Sequence, residues 1–207
     1  MCSSDLREIV AFETLCRFAG EPYRAPDVWF REAAALGLGV ELELAVLSRV
    51  GEAFRALPED IYLGLNASPD TILSGRLDAA MRDFPAHRVV VEVTEHAPVA
   101  DYGELRHALE GVRAAGAKLA IDDAGAGFAS LQHIIQLKPD LIKLDIGLTR
   151  AVDADPAKRA LAAALVFFAR ETDCVIIAEG IESASELETL RALGISRGQG
   201  FFLGRPK

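Results

Sequence analysis

The chain has 207 residues, 51% of them hydrophobic, and a formal net charge of −9 at pH 7. That length and apolar content supply an ordinary core and exclude a disordered chain, and the acidic balance, with no long basic run, excludes binding DNA or another polyanion through a general electrostatic surface. Cys2, Cys16 and Cys174 are odd in number and lack metal-ligand spacing, so they read as free thiols of a reducing compartment, and a cytoplasmic location is expected.

No apolar stretch is long enough to span a membrane and no signal-peptide pattern is present, so no membrane insertion is expected. Cys2-Ser3-Ser4-Asp5-Leu6 is what one reading frame of a sequencing-adapter oligonucleotide would encode. The expectation is a non-native leader over residues 1–6, then a single domain over 7–207 that is truncated at both ends.

In chain order, residues 9–15 read as a β-rich strand carrying Glu13, with Arg17 two residues beyond it. Amphipathic helices are expected over 26–36 and 40–57, the second with Leu42, Val46, Val50, Phe54 and Leu57 on a core face; Trp29 and Phe30 are expected in the core. A short strand over 61–65 ends in Asn66, and Ser68-Pro69-Asp70 has the chemistry of a turn into a helix. The strand over 89–95 carries Glu92 and Glu95, which an ideal strand would point to opposite sides.

A helix over 102–115, closed by Gly116, leads to the most informative stretch, the strand over 118–121 that delivers Asp122 and Asp123 into a glycine-spaced loop. After a short helix around Leu131 come a strand over 141–145 with Lys143 and Asp145, and a helix over 156–171. A strand over 175–178 then ends in Glu179, with Glu182 three residues on; a helix over 184–193 and a last strand over 198–202, containing Gln199, close the pattern. Alternation of strand and helix indicates parallel strands joined by crossover helices.

Two adjacent carboxylates repel each other, and the next basic residues in sequence, His133 and Lys138, are distant. A divalent ion with oxygen ligands is the simplest remedy; the alternative is an Asp pair capping the next helix. Glu13, Asn66, Glu92, Asp122, Asp123, Lys143, Asp145 and Glu179 all fall in or just after short apolar strands. In a closed α/β barrel those strand ends meet at one face, making an acidic pocket for one or two hard cations. Two ions about 3.5–4 Å apart suit hydrolysis of a phosphoester, with Lys143 orienting water or neutralising developing charge. The alternative for Lys143 is a structural ion pair with Asp145 or another barrel acid.

Phe12-Glu13-Thr14-Leu15-Cys16-Arg17 resembles the Glu-Ala-Leu signature of the EAL-domain cyclic-di-GMP phosphodiesterases, with Thr14 in place of alanine. Leu65-Asn66-Ala67-Ser68, Val91-Glu92-Val93-Thr94-Glu95, Ile121 to Gly127, Ile142-Lys143-Leu144-Asp145, Ala178 to Glu182 and Gln199-Gly200-Phe201 resemble the later motifs of that family in the same order.

The resemblance implies an α/β fold, a (β/α)8 TIM-like barrel of EAL type, that hydrolyses c-di-GMP to linear pGpG with Mg2+ or Mn2+. By motif position Glu13, Asn66, Glu92 and Asp122 would ligate one ion, and Asp122, Asp123 and Glu179 a second. Lys143 would hold the attacking water, with Glu13, Glu179 and Gln199 completing the catalytic set. Leu15, Arg17, Asp145 and Gln199 would contact substrate, and Glu95 would anchor the loop after Asp123. Asp145 and Glu182 are as readily assigned to structural contacts.

The resemblance further implies a homodimer through the loop after Asp123, and sensory or cyclase domains fused to this one in the full-length protein. Ala124 and Ala126 stand where the family usually has a bulky aromatic and a threonine, which predicts a looser loop. Retention of all the acidic positions and Lys143 favours an enzyme over an inert c-di-GMP receptor. A magnesium-dependent aldolase or enolase-like lyase shares the acidic pocket but does not account for the glycine loop.

Overall fold

The computed structural model describes residues 2–4, 8–21, 23–93, 99–125 and 128–205. Among the described residues eight strands close into one barrel in sequence order: β1 (Cys2–Ser4), β2 (Glu8–Glu13), β3 (Tyr62–Ala67), β4 (Val89–Val93), β5 (Lys118–Ala124), β6 (Leu141–Leu144), β7 (Val175–Ala178) and β8 (Arg197–Gly198). From β2 to β8 each neighbouring pair is parallel. The strand-helix alternation predicts that arrangement, because crossover connections join strands that run the same way.

The closure departs from it. β1 is antiparallel to both β2 and β8, pairing Ser3 with Ile9 on one side and with Gly198 on the other. Cys2–Ser4, from the stretch expected as a leader, thus form the strand that bridges the ends of the parallel sheet.

Period-two alternation sorts each strand's side chains between two environments. Along β4, Val89, Val91 and Val93 join the main core cluster, between barrel and helices, while Val90 and Glu92 face the barrel interior. On β6, Ile142 and Leu144 face outward and Leu141 and Lys143 inward, and on β3 Leu63, Leu65 and Ala67 oppose Tyr62 and Gly64. Burial on both faces explains why these strands read as apolar runs in which Asn66, Glu92 and Lys143 stand out.

The helices start where their capping chemistry dictates. In α5 (Tyr102–Ala114), Asp101 Oδ1 accepts from the backbone N–H of Gly103 at 2.6 Å. Asp155 caps α8 (Pro156–Glu171), whose first residue is proline, and Ser183 with Glu186 forms a reciprocal capping box at α9 (Ala184–Ala192).

Other boundaries shift. The first parallel strand ends at Glu13, not at residue 15, and the last strand stops at Gly198, after which Phe201 to Leu203 form a turn. Trp29 and Phe30, on helix 26–35, do not enter the core, since no residue of that helix is fully buried. Their rings instead pack on Phe18, at centroid distances of 5.4 and 5.9 Å, and so fasten the loop that follows β2.

Candidate active site

The carboxyl ends of the parallel strands bring Glu13, Asn66, Glu92, Asp122, Asp123, Lys143, Glu179 and Gln199 to one mouth of the barrel. Lys143 Nζ is the centre of this constellation. It lies 2.6 Å from Glu92 Oε2, 2.8 Å from Glu179 Oε1, 3.1 Å from Asp122 Oδ1 and 3.7 Å from Glu13 Oε2. The cation absent from the sequence neighbourhood of Asp122 therefore arrives from the next strand. Asp145 is not its partner.

Glutamine and asparagine tie the remaining oxygens together. Gln199 Nε2 donates to Glu179 Oε1 at 2.6 Å and to Glu13 Oε2 at 3.1 Å, and Asn66 Nδ2 donates to Glu13 Oε1 at 3.4 Å. These bonds fix carboxylate orientation from the side walls.

Two groups of acids converge here: Glu13, Glu92 and Asp122 in one, Asp122, Asp123 and Glu179 in the other, each with oxygens within 4.8 Å of one another. Asp122 belongs to both. Adjacent strand residues normally face opposite sides, but the β5–β6 register is irregular between Ile121 and Ala124, and Asp123 has φ 54°, in the left-handed region. The backbone N–H of Asp123 donates to Asp122 Oδ1 at 3.0 Å. Aspartate is among the few L-residues that accept this conformation readily. An all-oxygen set of this kind suits a hard divalent cation.

Burial dominates the electrostatics. It pushes Glu92 up to about 7 and Glu179 up to about 8, with Lys143 pulling both down and the neighbouring acids adding to the rise. For Lys143 burial acts downward, but Glu92, Glu179, Glu13 and Asp122 outweigh it and hold the ammonium well above its ordinary value. The cluster thus retains protons near neutrality that a divalent ion must displace.

Gly64 is a residue of this site that the strand pattern alone does not disclose. A Cβ there would stand 2.2 Å from Glu92 Oε1, so only glycine leaves the Glu92 carboxylate its place. Thr14 holds the same peptide, donating to Gly64 O through its hydroxyl at 2.8 Å and its backbone N–H at 3.0 Å. Its position in the first motif, where the family has alanine, is the one signal in the sequence.

The remaining expected residues lie around the rim. Leu15 is 51% exposed, and Arg17, also exposed, donates to Cys16 O at 2.7 Å. Asp145 caps the short helix α7 (Ile146–Thr149), accepting from Gly147 N–H at 2.7 Å, and Glu182 pairs with Arg150. Ala124 is fully buried in β5. Glu95 and Ala126 lie outside the described residues.

A family model for the EAL domain matches residues 1–206. The chain belongs to the EAL-domain family. Among curated relatives, PdeG of Escherichia coli (strain K12), named a probable cyclic di-GMP phosphodiesterase, is 30% identical over an alignment of 194 residues that covers 89% of this chain and 38% of PdeG. MucR of Pseudomonas aeruginosa, named a bifunctional diguanylate cyclase/cyclic di-GMP phosphodiesterase, is 35% identical over 122 residues, 59% of this chain and 18% of MucR. This EAL domain therefore spans well under half the length of either relative.

Among solved structures, the Klebsiella pneumoniae BlrP1 complex with manganese and cyclic di-GMP aligns with a TM-score of 0.86 at 28% identity, covering 99% of this chain and 54% of that one. A calcium/cyclic di-GMP complex of the same protein aligns at 0.82 and 27% identity, over 97% and 52%. The MucR phosphodiesterase complex with c-di-GMP aligns at 0.87 and 27% identity, over 99% and 93%. No helix among the described residues is long and apolar enough to cross a membrane.

Proposed function

We propose that this EAL domain hydrolyses c-di-GMP to linear pGpG with the help of Mg2+ or Mn2+. The observation that carries the reading is the pair of three-carboxylate groups sharing Asp122 at one barrel mouth. Glu13, Asn66, Glu92 and Asp122 would hold one ion, and Asp122, Asp123 and Glu179 the other. When bound, such ions supply Lewis acidity and lower the pKa of water.

The chain's own side chains do the rest. Lys143 leaves its ion pairs with the acids to hydrogen-bond the attacking water and to balance charge developing on the phosphoryl oxygens. Gln199, bonded to Glu13 and Glu179, keeps both carboxylates aimed at the reacting centre. Arg17 binds a phosphate of the substrate, and Leu15 offers an apolar contact beside it. Asp145 acts at the rim through the helix start it caps, and Glu95 anchors the loop after Asp123.

That loop leads into α6 (Phe128–Leu137), where Ile135 is 61% and Leu131 39% exposed. An apolar pair one helical turn apart supports a homodimer through this region. A cytoplasmic setting and fusion to sensory or cyclase domains complete the reading. The naming of MucR as bifunctional supports the fusion.

Incubation with c-di-GMP and Mg2+ or Mn2+, followed by chromatography, tests the activity. Metal-dependent pGpG abolished by EDTA is expected. No product from folded protein would favour a c-di-GMP receptor instead.

A further inference from the structure

Below the acid cluster the barrel is not filled. A cavity of about 140 Å³ lies along its axis, walled by Val10, Ala11, Tyr62, Val90, Leu141 and Ile177. Its inner end is formed by Glu13, Glu92, Lys143 and Gln199, and its outer end by Asp60, Lys118 and Arg197. Lys118, Tyr62 and Arg197 are the first residues of β5, β3 and β8, so this end opens at the amino-terminal mouth, opposite the proposed substrate. Barrel interiors of this class are normally packed with layers of bulky side chains. Here Ala11 on β2 and Gly64 on β3 line the cavity where larger residues would fill it.

The volume is close to that of the roughly 150 Å³ apolar cavity that accommodates one benzene molecule. Charge at the opening supplies the second criterion. Lys118 Nζ lies over the Tyr62 ring at 4.8 Å, and the Arg197 guanidinium makes no hydrogen bond or ion pair with any described residue. Lys118 and Arg197 with Asp60 give the lining at the cavity's opening a formal charge of +1, on a chain whose formal net charge is −9.

We infer that the amino-terminal mouth of the barrel is a second ligand site, for a small organic monoanion with a compact apolar body, an aryl or branched short-chain carboxylate. The body fills the space between Ala11, Val90, Leu141 and Ile177. The carboxylate meets Arg197 and Lys118, where a planar guanidinium matches a carboxylate geometrically. The cavity abuts Glu13, Glu92, Lys143 and Gln199 at its inner end, but its opening lies at the opposite mouth and binding there does not require the proposed hydrolysis.

The test is fluorine NMR with 4-fluorobenzoate as probe, and with 4-fluorobenzylamine and fluorobenzene as cationic and neutral comparators of the same body. Saturable binding of 4-fluorobenzoate is expected, tighter than either comparator. Arg197→Gln should weaken it about tenfold, the loss of one charge-assisted contact. Ala11→Ile, which fills the cavity, should abolish it, with circular dichroism confirming the fold; Val90→Leu provides a second filling variant should Ala11→Ile fail to fold. Arg17→Ala, at the opposite mouth, should leave it unchanged. Absence of saturable binding by the unaltered protein would overturn the inference, as would equal affinity for the amine, retention of binding in a folded cavity-filling variant, or its loss in Arg17→Ala.

Discussion

Asp122 and Asp123 are neighbours on one strand, yet their carboxylates converge with Glu179 in a single group of oxygens within 4.8 Å. The irregular register after Ile121 and the left-handed conformation of Asp123 produce that convergence. A regular strand would have directed one of the two out of the mouth.

The backbone at Asp123 separates conformation from charge. Asp123→Asn keeps a residue tolerant of positive φ, so the fold should persist while affinity for Mn2+ falls. Asp123→Val places a β-branched residue there and should cost about 1–3 kcal/mol of stability. Thermal melts with Mn2+ titrations check both; equal melting temperatures for the two variants would show that the left-handed turn is not required.

Lys143 stands among four carboxylates with its side chain 3% exposed. Removing one partner from a buried ionic cluster typically costs about 3–5 kcal/mol. Lys143→Met should therefore destabilise the metal-free protein by about 3 kcal/mol or less, because protonation of Glu92 and Glu179 relieves part of the loss. Added Mn2+ should restore more stability to this variant than to the unaltered protein. Turnover should fall further than substrate binding, and equal loss of both would argue for a purely structural lysine.

The pH dependence has a definite sign. Glu92 and Glu179, ordinarily at 4.5, are raised to about 7 and about 8 by burial, so the folded chain keeps protons that the unfolded chain has released. Stability of the metal-free protein should decline as pH rises from about 4.5 through 7 and 8. Mn2+ affinity should climb over the same window as binding expels those protons. Melts across pH with and without Mn2+ measure this; curves that stay parallel would contradict it.

Gly64→Ala places a methyl group against Glu92 Oε1. The carboxylate is the movable partner, so displacement of Glu92 rather than unfolding is expected, at a cost of about 1–3 kcal/mol. Reduced Mn2+ affinity in a folded variant is the outcome to look for by calorimetry.

Much of this constellation was legible in the sequence because Glu13, Asn66, Glu92, Asp122, Lys143 and Glu179 interrupt or end short apolar runs. Glu92 within Val89–Val93 and Lys143 within Leu141–Leu144 needed only the period of a strand to face the barrel interior. What local pattern does not encode is pairing across the barrel. Lys143 reaches Glu92 from 51 residues away, and Gln199 reaches Glu13 from 186. Closure by an antiparallel β1 escapes for the same reason, because strand direction depends on partners at both sheet edges. Trp29 and Phe30 carry a core-like composition, but their helix lies over the loop after β2 and packs there.

The sharing of Asp122 is best tested by counting ions alongside product. Mn2+ stoichiometry by calorimetry and pGpG formation by chromatography should be measured on the unaltered domain, Asp122→Asn, Glu13→Gln and Asp123→Asn. Two ions and steady pGpG formation are predicted for the unaltered domain, one tightly held ion for Glu13→Gln and for Asp123→Asn, and neither tight binding nor product for Asp122→Asn. Two ions and undiminished pGpG from folded Asp122→Asn would contradict the account.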